Sequence, residues 1–285
     1  MNLVEFAKQK REAAANKSNK NANLFWKPTI GKHVIRIVPY KFNADNPFTE
    51  LKFHYGIGGK TYISPESFNR PDPISEFATK LKDKGVKQYG RDFYKMPEYQ
   101  ECKKFQPKAR VFVPIIVRGQ ESEGVKFYGM APTTYDKILS IIADTDYAAA
   151  DGSTDSIVNL KSGRDLVLTY SQAAGKTYQD TEIMPKPNPS PAVDPTNKVL
   201  IALLGKQVDI VTLYEEKSYE ELKGIMSAWL NPEGDEAEPT SSAPAEITEV
   251  VPATTKQAAP KASSPTAAPS STKDIEAAFD NLFGE

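Results

Sequence analysis

One cysteine, Cys102, and two histidines, His33 and His54, are all the chain offers of the side chains that most often bind metals or act as nucleophiles. A lone thiol excludes an internal disulfide, agrees with a reducing compartment, and leaves no zinc set or Cys/His nucleophile pair. Both histidines sit in strand-like segments and read as structural. No run of about 18 apolar residues is present to span a bilayer. The opening MNLVEFAKQKREAAANKSNK has no apolar core and cleavage site, so a cytoplasmic location is expected. Two GKT triplets end at Thr61 and Thr177, but a phosphate-binding loop needs a glycine where His54 and Tyr170 stand. Asp144, Asp146 and Asp151 form an acidic loop without calcium-loop spacing. Little is left from which to build an enzyme.

What the chain has is charge, unevenly placed. Residues 231–285 hold three lysines and ten acids. Taking these from the totals of 36 basic and 37 acidic residues leaves 33 and 27 in residues 1–230. A basic body thus carries an acidic tail, which can compete with a polyanion for the body's surface in a salt-dependent way.

The basic charge concentrates between Lys80 and Arg118, with eleven Lys or Arg against four Asp or Glu. Tyr89, Phe93, Tyr94, Tyr99, Phe105 and Phe112 are threaded among them. Cations follow phosphates and release counterions, while exposed rings stack on bases whatever their identity, which suits single-stranded nucleic acid. The same rings also fit a core, and the same charges a solvated face.

Along the chain, Leu3 to Ala15 is compatible with a helix inside a basic arm, residues 1–23. Short strands follow: His33–Val38, Glu50–Tyr55, and Lys60–Ile63 after a Gly58-Gly59 turn. Ile74 to Lys84 has helical spacing and is expected to close at Gly85. Ala109 to Val117 is a strand whose Pro114 demands an edge position or a bulge. Val125–Met130 is another strand. Thr133 with Asp136 looks like the capping box of a helix through Ile142. Leu166–Tyr170 and Lys176–Gln179 read as the last hairpin. Lys198–Leu204 and a segment capped by Ser218 and Glu221 are helical, and Pro232 ends the body. The linker 231–273 is rich in Pro, Ala, Ser and Thr, and too apolar-poor to order itself. The last stretch, DIEAAFDNLFGE, places Ile275, Phe279, Leu282 and Phe283 among acids, as in a motif that folds onto a partner. The fold class expected is mainly β with flanking helices, an α+β arrangement over residues 24–230 with an added hairpin and helix subdomain.

In order, FWKPTIGKHVIRIVPY, PFTELKFHYGIGGKTYI, KARVFVPIIVRG, VKFYGM before YDKILSII, KSYEELKGIM and DNLFGE resemble the replicative single-stranded-DNA-binding, helix-destabilising proteins of T-even-type tailed bacteriophages. The resemblance implies an OB-fold core that coats and protects single-stranded DNA in replication, recombination and repair, in the cytoplasm of an infected host. It implies homotypic, cooperative binding through the arm, where Lys8, Lys10, Arg11, Lys17 and Lys20 are the candidates. It also implies recruitment of phage replication and recombination proteins by the tip 274–285, through Asp274, Ile275, Phe279, Asp280, Leu282 and Phe283. Nucleic-acid-binding positions fall on Arg36, Tyr89, Arg91, Tyr94, Tyr99, Lys103, Lys104, Arg110, Phe112, Tyr128, Lys176 and Tyr178. The best-known members hold zinc with one His and three Cys. His54 stands where that His would lie, but SPESFNRPDPISEF after it has no cysteine, so no cofactor is expected, with prolines, Phe68 and Phe77 packing the loop. A non-enzymatic adaptor or virion protein docking a partner through the tip is the other reading. A magnesium nuclease using Asp144, Asp146 and Asp151 is the third.

Overall fold

The computed structural model describes Glu5, Lys8 and residues 23–43, 45–147, 157–172 and 179–230. In chain order these form β1 (Phe25–Trp26), β2 (Gly31–Ile37), β3 (Thr49–Ile57), β4 (Lys60–Ile63), α1 (Pro73–Tyr89), α2 (Pro97–Phe105), β5 (Lys108–Val117) and β6 (Lys126–Met130). Then follow α3 (Pro132–Ala143), β7 (Arg164–Ser171), β8 (Asp180–Pro189), α4 (Lys198–Leu204) and α5 (Tyr219–Leu230). The protein is a mixed α+β protein, and none of its described helices is long and apolar enough to cross a membrane. The chain divides into two compact units. Of the described residues, one, the sheet unit, contains those up to Leu51 and Ala109–Glu215; the other, the helical unit, contains Lys52–Lys108 and residues 216–230.

The sheet unit orders its strands β1-β6-β5-β2-β7-β8, with β1 parallel to β6 and the remaining neighbours antiparallel. Alternation along the strands sends Ile35, Ile37, Val111, Val113, Ile115, Leu166 and Leu168 into one core with Met130, Ile138 and Ile183. Each such side chain contributes about 1.5–3 kcal/mol by leaving water. Pro114 is a correction, because β5 is an interior strand whose registers with β2 and β6 run without a shift. The proline sits at the last rung beside β2, where its carbonyl still accepts from the Val38 amide at 3.1 Å. Only the reciprocal donation is lost.

One edge strand is β8, where Pro185, Pro187 and Pro189 recur at every second position. Prolines suit an unpaired edge, but they also break every sequence signal for a strand. The described partner of β7 is Asp180–Pro189, in register Leu168↔Ile183 and Tyr170↔Thr181, while of the expected partner Lys176–Gln179 all but Gln179 lie outside the described residues.

The helical unit packs Ile57, Ile74, Phe77, Ala78, Cys102, Phe105, Leu222 and Met226 together. The β3–β4 hairpin turns at Gly58-Gly59, both at positive φ as the dipeptide requires. The first helix, α1, overruns its expected end by five residues. Gly85 is buried inside it because the Phe93 ring lies where a side chain would be: a Cβ there would come within 2.2 Å of that ring. The helix stops at Gly90 instead, at φ 60°. The sequence cap at Thr133 is also corrected, since α3 begins at Pro132 with no side-chain cap. The Ser218–Glu221 box is present, with the Ser218 amide donating to Glu221 Oε2 at 2.8 Å.

Candidate nucleic-acid interface

The basic and aromatic stretch does not act as one piece. Its boundary between units falls at Lys108–Ala109, so Lys80–Lys108 clothes the helical unit while Ala109–Val117 becomes a core strand of the sheet unit. The burial of each ring follows from that division.

In the helical unit, the short 3-10 turn Gly90–Lys95 joins α1 to α2 and is pinned by Phe93, which is buried. Pinning that ring turns its neighbours outward. Tyr94 is 45% exposed and Tyr89 44%. Tyr94 and Tyr99 meet edge to face at 5.0 Å between centroids, and Phe93 supports Tyr99 at 5.8 Å. The ammonium of Lys103, one turn further along α2, stands 5.9 Å over the Tyr99 ring. Arg91 is exposed beside this cluster, and Lys80, Lys84 and Lys87 line the outer face of α1. None of these cations, nor Lys103, has an ion-pair partner among the described residues. Lys95 and Lys104 do, with Asp92 at 3.0 Å and Glu101 at 2.6 Å, in exposed pairs of little energetic weight. Exposed rings bordered by uncommitted cations form a surface suited to bases and phosphates.

The sheet unit treats its candidates differently. Phe112 is 2% exposed, packed against Phe25 at 5.9 Å and over Gly129, whose missing side chain makes room for the ring. Tyr128 is 4% exposed and lies edge-on to Trp26 at 5.3 Å. Burial pushes its hydroxyl well above the ordinary tyrosine range, with the nearby Tyr170 adding to the shift and Arg110 opposing it. Both rings are core, which corrects their assignment as stacking residues. Arg110 is half-buried near Tyr128.

Arg36 is corrected too. Its guanidinium is fully buried, bonded to Asp165 Oδ1 at 3.0 Å and to Ser190 O and Oγ at 2.5 and 2.7 Å. Arg118 grips the same carboxylate oxygen at 3.0 and 2.7 Å, and Lys186 approaches Oδ2 at 3.5 Å. Burial alone would raise the Asp165 pKa, but Arg118 and Arg36 outweigh it and hold the carboxyl below its ordinary range. Lys176, Tyr178, the arm residues Lys10, Arg11, Lys17 and Lys20, and the whole tip lie outside the described residues; Lys8 is exposed.

His54 is buried in the helical unit with its Nε2 2.8 Å from Asp72 Oδ2. Ser64 Oγ donates to the same oxygen, while Asp72 Oδ1 caps α1 by accepting from Ile74 N at 2.9 Å and Ser75 N at 3.2 Å. Burial raises the Asp72 pKa, and the bonds from His54 and Ser64 bring it to a net value below the usual carboxylate range. Phe77 packs below in the core, whereas Phe68 is only half-buried and lies under Arg70 at 6.0 Å. Cys102 Sγ donates to Ala78 O at 3.0 Å. Among the described residues no group of three or more His, Cys, Asp or Glu is placed to hold a metal ion.

Sequence reasoning missed a second feature of the helical unit, a shallow depression lined by Tyr55, Ile57, Lys104, Gln106, Lys108 and Trp229. Tyr55 and Trp229 are far apart in the chain, so no local pattern brings them together.

The chain is similar to proteins already known. A ribonuclease Z from Clostridium novyi (strain NT) is 28% identical over 160 residues, which is 50% of this chain and 51% of that protein. The chain thus spans about half the length of that curated relative. The family model described as gp32 DNA binding protein like matches residues 29–229, a span that takes in β2 through β8, the pinned Tyr94–Tyr99 cluster and nearly all of α5. With most of its length matched and a cationic, ring-bearing surface on its helical unit, the chain belongs to the gp32-like DNA-binding family.

Proposed function

We propose that this protein coats single-stranded DNA with little sequence preference, bases resting on exposed rings of the helical unit and phosphates on its uncommitted cations. The observation that carries the reading is the Tyr94–Tyr99–Lys103 cluster, held outward by buried Phe93 and bordered by Arg91. Stacking on such rings is worth about 1–3 kcal/mol per base. Lys104, shared with Glu101, is a further phosphate contact in this reading. A protein that binds only the unpaired strand pulls a duplex toward melting by mass action. The sheet unit serves as an OB-type scaffold.

In the same reading the basic arm, with Lys8, Lys10, Arg11, Lys17 and Lys20, engages a neighbouring copy and makes coverage cooperative. The acidic tip recruits replication and recombination proteins of a phage within its bacterial host. The protein is a binder and not an enzyme. It works without zinc: the loop SPESFNRPDPISEF after β4 offers no cysteine and His54 Nε2 is engaged by Asp72, so they do not fit the one-His, three-Cys set of the best-known members.

The test is a fluorescence titration with oligo-dT at low and high salt. Strong quenching that weakens steeply with salt is expected, with Tyr94→Ala and Tyr99→Ala each reducing affinity. Salt-insensitive binding, or none, would overturn the reading.

A further inference from the structure

We propose that Asp72 does in this protein what a metal ion does in a closed structural site: its buried carboxylate is the four-bonded centre that ties β3, the turn after β4 and the start of α1 into one piece. The residues after β4 do not fit a zinc set, and this clasp stands in its place.

A structural zinc site joins separate stretches of chain through four bonds to one buried centre. The carboxylate of Asp72 has the same connectivity. Its side chain is wholly buried, as is that of His54. Oδ2 accepts from His54 Nε2 on β3 at 2.8 Å and from Ser64 Oγ just after β4, while Oδ1 accepts from the Ile74 and Ser75 amides at 2.9 and 3.2 Å. An ionised carboxylate offers about four acceptor positions, so these donors complete it, as burial of a charge requires. Because a carboxylate only accepts, the hydrogen on the His54 side of that bond sits on Nε2.

Ser64 carries the connection onward. Its Oγ accepts from Glu66 N at 3.3 Å and its amide donates to Lys52 O at 2.8 Å, which fastens the 3-10 turn Pro65–Phe68 to β3. Ser67 Oγ accepts from the Lys52 amide at 2.8 Å and closes the same seam. Pro73 stands in the first turn of α1, where its fixed φ suits the helix and no N–H is missed. A buried Ser, His and Asp could also be read as a nucleophilic triad, but the bonds run the wrong way. Ser64 donates to the carboxylate and not to His54, and all three side chains are closed off from solvent. Asp72 opens the helix whose outer face carries Lys80, Lys84 and Lys87, so the clasp also sets the direction of that cationic face.

The experiment has two arms, both on the full chain and read by urea unfolding. Asp72→Asn keeps an acceptor for the α1 cap but turns an amide N–H₂ toward the donors of His54 and Ser64. It is expected to lower the unfolding midpoint, as is His54→Leu, and the double variant is expected to lose less than the sum of the two. Additive losses would overturn the proposal, because His54 and Asp72 would then act separately. EDTA is expected to leave the midpoint of the unaltered chain in place; a fall on chelation, or stoichiometric zinc by atomic absorption, would overturn it too. The second arm restores ligands for an ion. Asp72 and Ser75 have the spacing of paired zinc cysteines, and Ser64 bonds to Asp72. Ser64→Cys, Asp72→Cys and Ser75→Cys together are therefore expected, with His54, to bind zinc, to raise the midpoint in its presence and to give a thiolate-to-metal absorption band with cobalt(II). A triple variant that gains no stability from zinc would overturn the proposal, because these side chains would not surround a single centre.

Discussion

The two units use the same residue types for opposite ends. In the sheet unit, Arg36 and Arg118 converge on Asp165 and the rings of Phe112 and Tyr128 fill the core. In the helical unit, Lys80, Lys84, Lys87, Arg91 and Lys103 have no ion-pair partner among the described residues, and Tyr89 and Tyr94 face solvent. Arginine suits the first task because its planar fork can satisfy several buried acceptors at once; lysine, a strongly hydrated point charge, suits the second. Composition therefore announces a polyanion binder, but which charges remain available is decided by what each unit must bury.

The largest expected effect that would break this contrast is in the sheet unit. Asp165→Asn removes the anion shared by two guanidiniums and should cost about 3–5 kcal/mol, read from urea unfolding, as buried cations lose their compensation. DNA affinity of the folded fraction should stay unchanged. If stability is unaltered and DNA binding falls, Arg36 belongs to the interface after all.

Gly85→Ala is next. Its Cβ would overlap the Phe93 ring at 2.2 Å, and that ring anchors the turn presenting Tyr94. Overpacking of this kind costs about 1–3 kcal/mol. Stability and oligo-dT affinity should decline together, whereas loss of stability alone would detach the anchor from the interface.

Tyr94→Ala should then weaken oligo-dT binding by about 1–3 kcal/mol with little change in unfolding midpoint. Phe112→Leu should do the reverse. A shared response of both variants in one assay would erase the distinction between the units.

Acid pH gives a smaller and more gradual effect. The folded-state pKa values of Asp72 and Asp165 lie below their ordinary values, so each contributes stability that is complete above the usual carboxylate pKa of about 3.9 and is lost as pH falls through the folded value. Thermal midpoints should be level near neutrality and fall below about pH 4. Asp165→Asn should flatten part of that fall. Smallest of all, Lys95→Ala should change stability by about 0–1 kcal/mol, because its pair with Asp92 is solvent-exposed on both sides.

Some elements could be read directly. The Gly58-Gly59 turn, the Ser218–Glu221 box, α4 at Lys198–Leu204 and the β-branched run of β2 each carry their cause within a few residues. Of the proposed interface, Tyr94, Tyr99, Lys103 and Arg91 were legible as a cation-and-ring pattern. Phe112 and Tyr128 carry the same pattern, and nothing local marks them as core.

The sequence by itself determined the α+β class, the basic body with its acidic tail, and most turns and caps, because charge, β-branching and glycine act over short range. Tertiary structure decided the rest. Gly85 continues a helix because Phe93 needs its space, Pro114 sits inside a sheet because it falls on the final rung, and β8 hides its strand behind three edge prolines. Arg36 is spent on Asp165, a partner 129 residues away. Such choices depend on which distant groups must be desolvated together, and that is settled only when the chain has folded.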